Sequence, residues 1–326
     1  MADAALFEVD PGELVLEDIT EEVSGREGLG IGGWIGTIWL ILLLLIGIFG
    51  PMLTAEPITT ESGFVSDACG DGSGLPLYDP FSCVDRPALA SQRRGDGAQG
   101  EFTHLMGVDG SGRDVFSRMV VGTRTTLIIA VGSIGFAVLV GGALGVLAGY
   151  FRKFTGTTIG GFFDILLAFP QLILALAIVS FWGRSVFNIT FTLAIVAVPL
   201  LGRISRASAL TWSERDFVTA SKALGARSGR VIWREVLPNV VPALMAITFL
   251  AIGVVIVAEA SLSIVGLGVP SDEVSWGAVL GEGGNNFRDF PHMVFIPSIA
   301  ISLTVMALNL VGDGVRRKFD VRESAL

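Results

Sequence analysis

The sequence predicts an all-α integral membrane protein, a bundle of six transmembrane helices. Three observations predict it. Six stretches, at 31–53, 125–150, 157–182, 188–201, 240–266 and 293–312, are mostly apolar, and a bilayer core requires about 20 such residues per helix. Charged residues make up only 16% of the chain against 51% hydrophobic, with a mean hydropathy of +0.68; a soluble domain carries roughly 25% charged residues. Lys and Arg gather on alternate connections, which gives the bundle a direction.

Residues 1–30 hold nine acids and one base and so carry most of the net charge of -9. The tail has no sustained apolar period and is expected to be mostly disordered, with docking as an alternative role. The remainder is close to neutral, so no basic surface for nucleic acid is indicated. The run at 31–53 follows an acidic tail and is too long for a signal peptide, so it is expected to stay as a membrane anchor. With the N-terminus inside, fourteen of the 22 Lys and Arg fall on inside segments, including all three Lys. The N-in, C-in arrangement follows. Residues 54–124 then form an outside loop with an irregular Gly-, Pro- and Asp-rich insert, and 315–326 an inside C-terminal tail. The fourth run is short, so its ends are the least defined. Gly is frequent inside the runs, as in GGALGVLAG at 141–149, and small residues let membrane helices approach closely.

The inside connection 202–239 is too long for a turn. Phe217, Ala220 and Leu224 recur at helical spacing. Gly225 permits a turn that a residue with a Cβ resists. Val231, Ile232 and Val236 restart the period, Pro238 is expected to end that second helix, and Pro242 sits in the first turn of the next span. Two short amphipathic helices bent at Gly225 are expected. Their apolar stripe needs a cover, either a partner or the protein's own bundle.

Polar groups inside spans are costly and mark function by default. Asp164 opens the third span, Glu259 lies toward the outer end of the fifth beside Ser261 and Ser263, and Asn309 closes the sixth. Each is a candidate for the translocation path or a gate, with an interhelical structural role as the alternative. Pro170 should kink the third span. Cys69 and Cys83 are the only cysteines and lie on the proposed outer loop, where a disulfide is permitted; a disulfide is expected, free buried thiols being the alternative. Neither they nor His104 and His292 have metal-ligand spacing. No G-x-x-x-x-G-K-[ST] run occurs, so the chain has no phosphate-cradling loop of that kind.

Residues 213–239 resemble the EAA loop of bacterial ATP-binding-cassette importer permeases: Glu-Ala-Ala, three residues, Gly, nine residues, Ile-x-Leu-Pro. The matching positions here are Thr219, Ala220, Ser221, Gly225, Glu235, Leu237 and Pro238; the Glu, second Ala and Ile positions depart. HLMGVDGSGRDVFSRMVVGTR at 104–124, DILLAFPQLILALAI at 164–178, EASLSIVGLGV and SWGAVL within 259–280, and LNLVGDGVRRKFDVR at 308–322 resemble, in order, segments of dipeptide and oligopeptide (DppC/OppC-like) permeases. The resemblance covers about 104–322. It implies a type I ABC importer permease fold with core 125–314, and an ATPase-coupling loop using Asp216, Phe217, Ala220, Ser221, Leu224, Gly225, Leu237 and Pro238. It implies a second homologous permease subunit, two ATPase subunits carrying ATP and Mg, an extracytoplasmic substrate-binding protein, and di- or oligopeptide as substrate. The chain itself would bind no cofactor, catalyse no reaction and sit among lipids of the bacterial cytoplasmic membrane. A nickel or other small-solute permease shares the pattern. An ion-coupled secondary transporter would show internal repeats, and none is clear.

Overall fold

The computed structural model describes residues 30–53, 106, 107, 109 and 113–323. The acidic tail, the insert at 55–100 and the Cys69–Cys83 pair lie outside the described residues.

Among the described residues ten α-helices follow in order: α1 Gly30–Leu53, α2 Val115–Tyr150, α3 Phe154–Leu167, α4 Gln171–Trp182, α5 Val186–Ser213, α6 Asp216–Ala223, α7 Ser228–Val231, α8 Leu237–Ile264, α9 Trp276–Asn285 and α10 His292–Glu323. Five helical stretches are long and apolar enough to cross a bilayer, and the pair α3 and α4 makes a sixth span if taken together. Six spans were expected, and the structure places them on the expected runs.

The third span departs most from expectation. Pro170 does more than kink it: α3 and α4 meet at 86°. A residue before proline is kept out of the helical region, so α3 stops before Phe169. The helix restarts where Leu174 N–H reaches the Pro170 carbonyl at 3.0 Å. The fourth span is longer than its apolar run: α5 continues to Ser213, into the connection read as a loop from 202. The second begins at Val115, ten residues before its apolar run.

The bundle is organised around α2 and α5. A Cβ on Gly141 would stand 2.5 Å from the Val198 carbonyl oxygen, and one on Gly149 2.7 Å from both Ala209 Cβ and the Arg206 carbonyl. The two backbones therefore touch along Gly141, Gly145 and Gly149. Ser133 and Ser205 reinforce the seam by donating to the Thr190 and Gly142 carbonyls, each at 2.8 Å. Phe163 of α3 is wholly buried and fills the space over Gly202. On the other side α1 packs on α10 through Gly36 against Ala307, and Trp39 Nε1 donates to Thr304 Oγ1 at 3.2 Å.

α2, 36 residues long, spans about 54 Å at 1.5 Å per residue, so its two ends mark opposite poles. At its C-terminal pole a second apolar cluster forms from Val146, Ala209, Val218, Val231, Val236 and Val240. At its N-terminal pole α9 lies across α2, α8 and α10.

The glycine seam gives a stability test. Gly145→Val places a branched side chain against Gly202 and Ser205 and should destabilise the subunit by about 3 kcal/mol. Gly135→Ala, where nothing lies within 4 Å of the added Cβ, should change stability by less than about 1 kcal/mol. Thermal denaturation of both variants in detergent measures the difference.

Candidate functional site

Six of the eight loop residues, Asp216, Phe217, Ala220, Ser221, Leu224 and Gly225, form an elbow at the C-terminal pole of α2, while Leu237 and Pro238 open α8. Asp216 opens α6; Phe217 is 41% exposed, Leu224 89%, and Ala220 is exposed beside them. Gly225 has φ +82°, a left-handed conformation, and it lets the chain reverse between α6 and α7. The turn is closed by Ala226 N–H donating to the Ser221 carbonyl at 3.1 Å.

Of the two covers anticipated for this hairpin, the protein's own bundle takes one flank. That flank is seated on the bundle by Val218 and Val231, both 0% exposed, and by Val236. Lys222 Nζ lies 4.8 Å from the centre of the Tyr150 ring, and Arg152 pairs with Glu214 at 2.6 Å. The other flank leaves Ala220 and Leu224 exposed, with Phe217 partly covered by the Trp212 ring. Val218 was missed because it adjoins Phe217 in sequence. On a helix, neighbouring residues point about 100° apart, so two faces were available and only one was read.

Pro238 does not end a helix, as the sequence suggested. The chain is helical from Ser228 to Ile264. Residues Ile232–Val236 form a π turn, with Leu237 N–H donating to the Ile232 carbonyl. Pro238 follows in the first turn of α8, and the wider turn before it takes up the missing donor while the helix stays continuous.

The other candidate residues are dispersed. Asp164 of α3 pairs with Arg203 of α5 at 2.6 Å, with both side chains more than half exposed. Pro170 forms the corner between α3 and α4. Asn309 lines a recess of about 410 Å³ with Val257, Ile301, Ser302, Val305, Met306 and Leu310. Ser261 turns back to the Val257 carbonyl at 2.8 Å, away from the Glu259 cluster. Glu259 is 1% exposed. Its Oε1 accepts from Ser263 at 3.0 Å and from Ser275 at 2.7 Å, and a Cβ on Gly277 would stand 2.6 Å from its Oε2. Glu259 therefore faces α9, enclosed by Ser263, Ser275 and Gly277.

A second charged cluster was not anticipated. Arg118, 1% exposed, donates to Asp109 Oδ2 at 2.7 Å and to both oxygens of Glu282 at 2.6 and 2.9 Å. Arg113 bridges the same two carboxylates at 2.7 and 3.0 Å. Asp114 caps α2 by accepting from Ser117 N–H at 2.7 Å. A buried guanidinium needs such partners. The signal available in the sequence was Arg118 itself, a charge beside the apolar run of a spanning helix.

A broken span, a glycine-packed bundle and an elbow at one pole define a multi-pass helical membrane protein. The chain belongs to the family of binding-protein-dependent transport system inner membrane components, whose model matches residues 141–324. Among its relatives is a glutathione transport system permease, GsiD of Pectobacterium atrosepticum, 36% identical over 67% of this chain and 72% of that protein. Another is a dipeptide transport system permease, DppC of Alkalihalophilus pseudofirmus, 32% identical over 88% of this chain and 84% of that one. The fold is shared with a chain of the inward-facing MetNI methionine ABC transporter: TM-score 0.54, 19% identity, 61% of this chain and 95% of that chain. The fold class read from the sequence thus stands.

Ser275 holds two interactions at once. It caps α9 by accepting from Ala278 N–H at 3.0 Å and donates to Glu259. Ser275→Ala removes both and should cost about 2 kcal/mol. Ser261→Ala, whose hydroxyl only back-bonds along its own helix, should change stability by a few tenths of that. Thermal denaturation of the two variants side by side checks the expectation.

Proposed function

We propose that this chain is a permease subunit of an ATP-driven importer that carries di- or oligopeptides, glutathione-like tripeptides included, across the cytoplasmic membrane. It performs no chemical step. Two ATPase subunits bind ATP and Mg, a second permease subunit completes the pathway, and a binding protein delivers peptide from outside. The termini and the elbow face the cytoplasm, in keeping with the Lys and Arg on that side. The likeness to dipeptide and glutathione permeases supports the substrate class.

One observation carries the reading: the elbow leaves Leu224 89% exposed and Phe217 41% exposed beside Trp212, while Val218 and Val231 seat it on α2 and α5. A flexible loop would transmit no motion, and a fully buried one would meet no partner. An apolar ridge on a firm base fits a groove on an ATPase subunit. Motion of that subunit reaches the spans through α8, which is continuous with α7 by way of the π turn. Asp164, Pro170, Glu259, Ser261, Ser263 and Asn309 remain the proposed path and gate residues, and Cys69–Cys83 a proposed outer disulfide.

Gly225→Val forces a β-branched residue into a left-handed conformation, and Phe217→Asp puts a charge into an apolar contact. Each should weaken ATPase attachment by about 2 kcal/mol, or leave it attached with hydrolysis uncoupled from uptake. Both proteins should still insert. Co-purification with the ATPase subunits, ATP hydrolysis and peptide uptake are measured together; parent-like values for both variants would remove the coupling assignment. Orientation is tested separately with Ser228→Cys, which should resist impermeant thiol reagents in intact cells. Labelling from outside would reverse the topology.

A further inference from the structure

Arg118 and Arg206 both carry a guanidinium into the bundle, but only Arg118 meets carboxylates there. Arg206, on α5, is part-buried. Its Nε is closed off from solvent and bonds nothing, and among the described residues no acid pairs with its terminal nitrogens. The one acid of α3, Asp164, is taken by Arg203, and Glu214 at the end of α5 is taken by Arg152, each at 2.6 Å. A charge withdrawn from water needs a counter-charge, so Arg206 calls for an anion from outside the described chain.

The surroundings say which anion. A Cβ on Gly160 of α3 would stand 2.5 Å from Arg206 Nη1, 3.2 Å from Cζ and 3.7 Å from Nη2. The guanidinium therefore lies between α5 and α3, in the space that Gly160 leaves. Its depth is fixed from the other side. A Cβ on Gly149 would meet the Arg206 carbonyl at 2.7 Å, and Gly149 directly precedes Tyr150, the last residue of α2. Arg206 thus lies where the apolar run of α2 ends, at the level where a bilayer core gives way to headgroups. That level is net positive, with Arg152, Lys153, Arg203 and Arg206 against Asp164 and Glu214. On the same helix as Gly160, Phe154 is 84% exposed and Phe162 51%. A protein carboxylate would answer the charge and leave these rings bare. A phosphate with acyl chains answers both, and basic pockets between spanning helices bind acidic headgroups in this way.

We propose that α3 and α5 form a binding site for one anionic phospholipid of the leaflet on the elbow side. The Arg206 guanidinium holds the lipid phosphate, Gly160 sets where that guanidinium lies, and Phe154 and Phe162 meet the acyl chains. Arg203, already paired with Asp164, adds to the local field and is not the ligand. The lipid supplies the counter-charge and ties α3 to α5 from outside. The site rests on the membrane-spanning reading alone, and not on the substrate or the ATPase partners.

The probe is phosphatidylglycerol with a diazirine on the acyl chain close to its headgroup, added to the assembled complex in phosphatidylcholine nanodiscs. Crosslinked peptides are mapped by mass spectrometry. In the parent, label should concentrate on residues 154–162, and unlabelled phosphatidylglycerol should displace it about tenfold more effectively than phosphatidylcholine. Arg206→Gln should lower this label about tenfold, the loss of one charge-assisted contact, and Arg206→Lys should restore part of it. Gly160→Ala keeps the charge but intrudes on the guanidinium, and should lower the label severalfold. Label on α1, which meets bulk lipid, should be the same in every variant. Equal displacement by the two lipids in the parent would overturn the proposal, and that result needs no variant to assemble. Parent-like labelling in Arg206→Gln would also overturn it and would leave the guanidinium to a carboxylate of a partner subunit. Displacement by millimolar inorganic phosphate as effectively as by phosphatidylglycerol would mark a plain anion site and overturn the lipid assignment. If the complex moves no peptide and the selective label persists, the substrate reading fails and the lipid site stands.

Discussion

Everything in this bundle depends on the backbone contact between α2 and α5. In a bilayer no hydrophobic force draws one apolar helix to another, since lipid tails are as apolar as leucine. Association must come from close packing and from polar bonds between helices. Gly141, Gly145 and Gly149 let the two helices meet with no side chain between them, and Ser133 and Ser205 add two bonds across the seam. The resulting pair is stiff and runs from one pole to the other. It carries Arg118 and the contacts with α9 at one end, and Tyr150 and Ala209, which seat the elbow, at the other.

That stiffness gives the elbow its meaning. Val218 and Val231 press into the valine cluster at the foot of α2 and α5, so a push on α6 or α7 moves the pair as a body. The π turn at Ile232–Val236 then joins the elbow to α8 without a break. A proline directly after an α-helical turn would have freed a carbonyl and bent the helix. Here the wider turn keeps the path from Ser228 to Ile264 helical. Pro170 has the contrary outcome: nothing compensates it, and the span divides into α3 and α4 at 86°.

The spans themselves were legible because bilayer thickness sets a length that a run of apolar residues reports directly. Gly225 was legible because only a residue without a Cβ takes a left-handed turn freely. The ends of the spans were not. Arg118 and Arg124 interrupt the first turns of α2, and hydropathy cannot distinguish a charged residue in a loop from one paired inside a helix. The same blindness hid the last turns of α5, where Arg203 and Arg206 leave the apolar run while the helix continues to Ser213. Glu259 was legible as a carboxylate in a span. Its partner Ser275 was not, because it arrives across the turn between α8 and α9, and only tertiary packing decides that pairing.

The two buried ionisable residues, Arg118 and Glu259, show why those illegible contacts matter. An ionisable group deep in such a bundle needs partners, so each ties a neighbouring segment to its helix. Both fix the same segment, α9, and both are reached from helices that extend to the elbow. α2 leads from Arg118 to Tyr150, and α8 leads from Glu259 back to the π turn. Neither helix can slide against its neighbours by small amounts: a Cβ on Gly281 would already lie 2.6 Å from the Ser263 carbonyl, and one on Gly142 2.9 Å from Leu244. Interfaces packed this tightly change by discrete repacking rather than by gradual yielding. The elbow and α9 thus lie at opposite ends of the same two helices, α2 and α8.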